Sequence, residues 1–177
     1  MDSGKVLVGL SNRCFILRLE GDVRVPWCVS LENYCETVIT TTEVDEVRVD
    51  LGGAVNCDST TLGVLAKLAM MTVKHCSNKA RLYVRDQDLL RLVESMAFDQ
   101  VFTIESDPFD DEIQMADLPY IDCSELEAKD TVIGAHKVLM DLSEDNRKAF
   151  LSLVSALEAQ CHCLLGTNID PLCPHGH

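Results

Sequence analysis

Three consecutive side chains with hydroxyl or carboxylate oxygens stand where a strand pattern gives way to a helix pattern. The run is Asp58-Ser59-Thr60, and it follows a loop that opens with Gly52 and Gly53. All three residue types cap helix N-termini, where a side-chain oxygen accepts a bond from a free backbone N–H and stabilises the helix by roughly 1 kcal/mol. Capping explains the presence of only one of these three residues. A purely structural role is the simpler interpretation, and a binding or modification site is the alternative.

The helix predicted over residues 59–75 is apolar around most of its circumference and must be largely buried. Its apolar residues are Leu62, Val64, Leu65, Ala66, Leu68, Ala69 and Val73. The face left over is a narrow stripe of Gly63, Lys67, Met70 and Lys74. Another backbone can come close where there is no side chain, and methionine repacks readily. With Ser59 at its head this stripe is predicted to dock a partner, the alternative being an ordinary solvated face.

Elsewhere, no group of residues has the spacing of a catalytic or metal site. The histidines, His75, His136, His162, His175 and His177, share no motif with Ser59. Neither a Gly-x-Ser-x-Gly elbow nor a phosphate-binding glycine loop occurs. The tail contains Cys161-His162-Cys163 and Cys173, but structural zinc sites pair their ligands as Cys-x2–4-Cys. We therefore expect no enzymatic activity, no cofactor and no metal.

Composition narrows the class of partner. The chain has 29 acidic and 15 basic side chains and a net charge of −14, which repels phosphate backbones and anionic lipid surfaces alike. We expect neither a nucleic-acid nor a membrane partner. The chain shows no secretory signal, and no apolar run approaches the roughly 20 residues that span a bilayer. These features predict a cytoplasmic protein whose nine cysteines are reduced thiols.

The hydrophobic patterns predict the element order ββαβαβαβ. Strands are expected over residues 5–10, 13–20, 46–51, 81–84 and 101–104, and helices over 26–40, 59–75 and 86–96. Strands that alternate with helices favour parallel pairing through right-handed crossovers. The predicted fold class is therefore α/β, a mixed sheet packed with helices.

A different pattern follows this domain of residues 1–105. Residues 106–117 are acidic around Pro108 and predict a linker. Residues 118–177 predict a helical hairpin and tail: Ser124 and Glu127 have capping-box spacing, and a second helix follows Ser143. Its apolar seam is Phe150, Val154, Leu157 and Cys161. A fragment ending near Glu105 is expected to fold by itself, and the hairpin could form a homodimer.

The chain resembles the STAS domains, and among them the bacterial anti-sigma factor antagonists, whose signature is Asp-Ser-x-Gly-Leu-Gly at a strand-to-helix turn. Asp58, Ser59, Leu62 and Gly63 match it. The resemblance also covers Leu19-x-Gly21, the strand ending at Asp50-Leu51 and the segment Met96-x-Phe98-x-x-Val101-Phe102, so it extends over roughly residues 5–105.

This resemblance implies a partner switch without catalytic activity. The unmodified protein binds an anti-sigma factor. That anti-sigma factor, or a related serine kinase, phosphorylates the motif serine, which here is Ser59. A serine phosphatase, in some systems fused to a receiver domain, reverses the modification. The implied partner-binding residues are Asp58, Ser59, Thr60, Thr61, Gly63, Lys67, Met70 and Lys74.

Two positions depart from the family pattern. Thr61 stands where glycine is common, which adds bulk and a hydroxyl beside Ser59. Arg24 stands where the family has an aspartate after the second strand, which puts the phosphorylation of Ser59 in question. An alternative function in the same family is a STAS subunit of a lipid or ion transport complex, in which the helix start docks a membrane-bound partner without phosphorylation.

Overall fold

The computed structural model describes the backbone of residues 3–110 and 112–166, and the side chains as far as residue 160. Its strands are β1 (Lys5–Ser11), β2 (Cys14–Val23), β3 (Glu46–Cys57), β4 (Ala80–Val84), β5 (Phe102–Glu105) and β6 (Ala116–Asp117). Its helices are α1 (Val25–Thr41), α2 (Ser59–Cys76), α3 (Gln87–Ser95), α4 (Glu125–Leu142) and α5 (Glu144–Gly166), with a short 3-10 turn at Phe98–Gln100. The order predicted for the first 105 residues is confirmed.

The strands form one mixed sheet in the order β5-β4-β3-β2-β1-β6. β1 and β2 are antiparallel, whereas β2, β3, β4 and β5 run parallel to one another. The β1–β2 hairpin turns at Asn12 and Arg13, whose φ angles are +50° and +62°, as the two-residue turns that suit the twist of a hairpin require. The predicted fold class, a mixed sheet with helices and a helical C-terminal extension, is confirmed.

β3 is longer than predicted and continues through both glycines to Cys57. The reason is the end of β2, which continues beyond Gly21 and pairs with it, Gly21 opposite Ala54 and Val23 opposite Cys57. The pairing is irregular on either side of Gly21, whose φ of +67° favours glycine. The extension brings the end of β3 beside the end of β2, so α1 and α2 begin next to each other.

Alternation along the strands separates an apolar from a polar face of the sheet. In β3, Val47, Val49 and Leu51 are fully buried in the main hydrophobic core, together with side chains of α1 and α2. On the opposite face, Arg18 pairs with Asp50 at 2.8 Å. Side chains from the core-facing half of α2 complete the same core, which gives the helix its position on the sheet.

The acidic segment 106–117, predicted as a linker, crosses the polar face as a strap. Phe109 lies under the guanidinium groups of Arg48 and Arg81, at 5.6 and 5.3 Å from the ring centroid. The segment then adds β6 at the edge of β1, with Val8 opposite Ala116, and the backbone N–H of Leu118 donates to Val6. This path carries the chain from one edge of the sheet to the other and around to the helices.

The hairpin predicted after residue 118 is present as α4 and α5. Ser124 and Glu127 form the expected capping box at the start of α4, and Ser143 separates the two helices. α4 lies across α1 and α2 and also packs on α5. The buried Asn146 of α5 donates its side-chain amide to the carbonyl groups of Met96 and Leu139. The hairpin is therefore packed on the helical layer, and the proposed division of the chain at residues 105 and 117 stays a prediction.

Candidate functional site

Asp58 holds the N-termini of two helices together. As the N-cap of α2, its Oδ1 accepts bonds from the backbone N–H and the hydroxyl of Thr61, both at 2.8 Å. Its Oδ2 accepts the backbone N–H of Val25, the first residue of α1, at 2.9 Å. Such bonds satisfy donors that a helix start leaves open. Asp58 is thus the residue that fixes where Ser59 lies.

Ser59, the first residue of α2, is partly buried and makes a hydrogen bond across to the hairpin. Its Oγ lies 2.8 Å from Nε2 of His136 in α4. The other ring nitrogen, Nδ1, lies 2.7 Å from the carbonyl oxygen of Val132. A carbonyl only accepts, so Nδ1 donates, and in the neutral ring Nε2 accepts the Ser59 hydroxyl proton. His136 is 2% exposed and has the ring of Phe150 at 5.0 Å, so its ring is enclosed between Ser59 and the hairpin.

The next turn of α2 shows the closest helix contact of the site. A Cβ placed on Gly63 would lie 2.3 Å from the carbonyl oxygen of Ala135 and 2.7 Å from its side chain. No side-chain carbon fits at those distances, so glycine is required for α4 to lie where it does. The sequence predicted that a backbone would approach Gly63; the backbone found there is that of the chain's own α4.

Farther along the docking stripe, Lys67 joins three helices through Glu32 of α1. Lys67 Nζ lies 2.7 Å from Glu32 Oε1, and Glu32 Oε2 accepts the hydroxyl of Thr131 in α4 at 2.8 Å. Burial alone would lower the pKa of Lys67, but the hydrogen bond and charge of Glu32 outweigh it and raise that pKa. Met70 is partly buried against the core, and Lys74 is exposed. α4 therefore covers the half of the stripe nearer Ser59.

Both hydroxyl neighbours of Ser59 are buried. Thr60 is 3% exposed and Thr61 is fully buried. Thr61 Oγ1 also lies 3.1 Å from the carbonyl oxygen of Val23 and 3.4 Å from Cys28 Sγ. Burial raises the pKa of the Cys28 thiol to about 12, so the thiol stays protonated. The added bulk of Thr61 thus lies inside the fold.

Arg24, the residue just after β2 that departs from the motif pattern, pairs with a neighbour on β2. Its Nε lies 2.8 Å from Oδ2 of Asp22, and the arginine side chain is 59% exposed. The hydrogen bond from Arg24 lowers the pKa of the Asp22 carboxyl. A guanidinium in place of a carboxylate therefore stands at the start of α1, near Asp58.

The sequence patterns did not predict the residues that meet the docking stripe from other helices. They are Glu32 of α1 and Thr131, Ala135 and His136 of α4. The only signal in the sequence is that Thr131, Ala135 and Leu139 are spaced as one helix face and His136 adjoins it. That spacing does not say which surface the face covers.

Among the described residues, no cluster of histidine, cysteine or acidic side chains could hold a metal ion, and none of the helices there has the length and apolar character to cross a membrane. The side chains of the cysteine and histidine tail considered as a metal site lie outside the described part of the chain, and so does the Cys161 side chain of the predicted seam.

Known structures share this architecture, although no family model and no curated protein sequence matches the chain. An anti-sigma factor antagonist from Mycobacterium paratuberculosis superimposes with a TM-score of 0.52 at 18% identity, covering 60% of this chain and 88% of the other. The anti-sigma factor antagonist SpoIIAA in its unphosphorylated form gives a TM-score of 0.47 at 15% identity, over 73% of this chain and 98% of its own. Together with the strand order, the first of these comparisons shows that the chain has the STAS fold found in anti-sigma factor antagonists.

Proposed function

We propose that this protein is an anti-sigma factor antagonist that works as a partner switch through Ser59. The observation that carries the proposal is the position of Ser59: the first residue of α2, fixed by the double cap of Asp58, on a fold shared with a known anti-sigma factor antagonist. The unmodified protein would bind an anti-sigma factor or related kinase through the stripe headed by Ser59. It would act by binding alone, without catalysis.

Electrostatics supports phosphorylation as the control. A phosphate adds about −1.5 to −2 charges, which the free amides and dipole at a helix N-terminus tolerate. The fold should therefore survive the modification. A partner packed on Ser59 would instead meet a dianion beside the carboxylate of Asp58, and like charges in a desolvated contact cost several kcal/mol. A serine phosphatase would then restore binding.

Ser59 is the favoured acceptor among the three neighbouring hydroxyls because Thr60 and Thr61 are buried. Arg24 gives a reason for a specialised kinase, since the position where the family carries an acid is held by a cation paired with Asp22. In the alternative function, a subunit of a transport complex, the same surface would bind a permease. No feature of the described residues specifically favours that partner.

The experiment is affinity capture from the native cell followed by mass spectrometry of both the bound proteins and the bait. We expect an anti-sigma factor or serine kinase among the bound proteins, and phosphate on Ser59 in a fraction of the bait. Captured permease subunits with unmodified Ser59 would contradict the proposal and favour the transport alternative. Phosphate on Thr60 or Thr61 instead of Ser59 would contradict the choice of residue.

A further inference from the structure

We propose that α4 is a displaceable intramolecular ligand of the Ser59 face, here defined as Ser59, Gly63 and Lys67 of α2 with Glu32 of α1. In this state the protein is self-inhibited: the surface that would receive a partner is occupied by the chain itself. The proposal rests on the proposed function for the identity of the partner, but the occupation and release of the face can be measured without any partner.

The contacts of α4 with the Ser59 face itself are small or polar. Its approach to α2 is set by Gly63 and Ala135, two residues with almost no side chain to bury. Around that point, the hydroxyl of Thr131 and the ring of His136 bond to Glu32 and Ser59. Each of these polar groups can bond to water instead when the helices part. The net cost per hydrogen bond lost is then about 0.5–1.5 kcal/mol, well below that of a buried group left unpaired.

The sheet domain has a core largely its own. Among the described residues, those of the main hydrophobic core lie between Val6 and Phe102, except for Leu118, Ala135 and Leu139. Leu118 belongs to the strap beside β1 and need not move with α4. Release of the hairpin therefore takes Ala135 and Leu139 out of the core, together with the partly buried side chains packed against it, Val138, Leu142 and Phe150, and breaks the bond from Asn146 to Met96. It leaves the sheet and its paired strands in place.

The geometry also makes the covered state incompatible with modification. A separation of 2.8 Å between Ser59 Oγ and His136 Nε2 is a direct hydrogen bond, so no phosphoryl group fits between them. Gly63 holds the backbone of Ala135 against α2 one turn further on. A kinase that transfers phosphate to Ser59 must first lift α4, and the phosphorylated side chain then keeps α4 from returning to the same position. Covering and phosphorylation are thus mutually exclusive.

The test uses the full chain in three forms: wild type, Ala135→Leu and Gly134→Ala. Ala135→Leu adds bulk against Gly63 but leaves α2 unchanged. Gly134→Ala is the matched control, since a Cβ at Gly134 meets nothing within 4 Å. Hydrogen exchange resolved by mass spectrometry should show residues 125–142 of wild type exchanging at least about tenfold faster than β3 and β4, through local opening. In Ala135→Leu, residues 125–142 and 59–70 should each speed up by at least about tenfold, with β3 and β4 unchanged.

A second measurement reads the exposure of position 59 directly. Ser59→Cys is introduced alone, with Ala135→Leu and with Gly134→Ala, and alkylation of that thiol by N-ethylmaleimide is followed by tandem mass spectrometry. Ala135→Leu should accelerate alkylation at least about tenfold, and Gly134→Ala should not. Equal rates, or exchange in which α4 opens only together with β3 and β4, would overturn the proposal and make α4 a fixed part of the domain. Neither assay contains a partner, so a negative result here concerns only the covering of Ser59 by α4. The proposed function is tested separately, by binding of the regulator.

Discussion

The sheet region and the hairpin region of this chain are held by different kinds of contact. Inside the sheet region, Leu17, Val49 and Leu82 are fully buried among other apolar side chains. Where α4 meets the Ser59 face, Gly63 lies against Ala135 and polar bonds form at Ser59 and Glu32, while Ala135 and Leu139 also reach the main core. Apolar burial is roughly proportional to area and has no directional requirement, whereas a polar contact depends on one geometry. The first kind specifies the fold, and the second specifies how one surface is covered.

The largest effect expected from a single substitution belongs to the sheet region. Leu65→Ala removes a fully buried side chain of α2 from the main core and should lower the free energy of unfolding by about 2–5 kcal/mol. Urea unfolding followed by circular dichroism measures the change. The control is Leu153→Ala on α5, where the side chain is 42% exposed and the effect should stay within about 0.5 kcal/mol. A loss at Leu153 as large as that at Leu65 would contradict the contrast between the two regions.

A smaller change in the free energy of unfolding is expected when a glycine is replaced by alanine in α2 or in α4. Gly63→Ala places a Cβ against the backbone of Ala135, and such overpacking should cost about 1–3 kcal/mol. Gly134→Ala meets open space and should stabilise α4 by up to about 1 kcal/mol through the higher helix propensity of alanine. The same urea experiment compares the two free energies of unfolding. Opposite signs are expected, and equal values would mean that α4 does not rest on Gly63.

The regions also differ in how far sequence predicts them. Alternating apolar residues and glycine positions located the strands and helices of the first 105 residues to within a few positions, apart from the end of β3, since each pattern is local. The extension of β3 to Cys57 was missed because it depends on pairing with the end of β2. Ser59 and Gly63 could be singled out from a short motif. His136 could not, because it lies 77 residues away from Ser59 and only the packing of α4 brings the two together.

The strap, residues 106–117, is a second case in which local sequence patterns did not predict contacts with distant parts of the chain. Its acidic composition predicts a solvated linker, yet Phe109 lies under Arg48 and Arg81, and Ala116 pairs with β1. Both contacts depend on the charges and the free edge of a sheet formed by residues far earlier in the chain. Segments with few apolar residues can thus be held at a few points, which local patterns do not reveal.

The most direct test of the central claim, that Ser59 governs partner binding, is titration calorimetry of the captured regulator against wild type, Ser59→Ala and Ser59→Asp. Circular dichroism should first show all three folded, since the loss or replacement of a cap costs roughly 0.5–2 kcal/mol. Ser59→Ala should bind as wild type or more tightly, because it adds no charge and frees His136 from its bond. Ser59→Asp should bind at least about tenfold more weakly, which is about 1.4 kcal/mol, because its carboxylate stands beside that of Asp58. Equal affinities of the two variants would contradict the account and place the regulator on another surface.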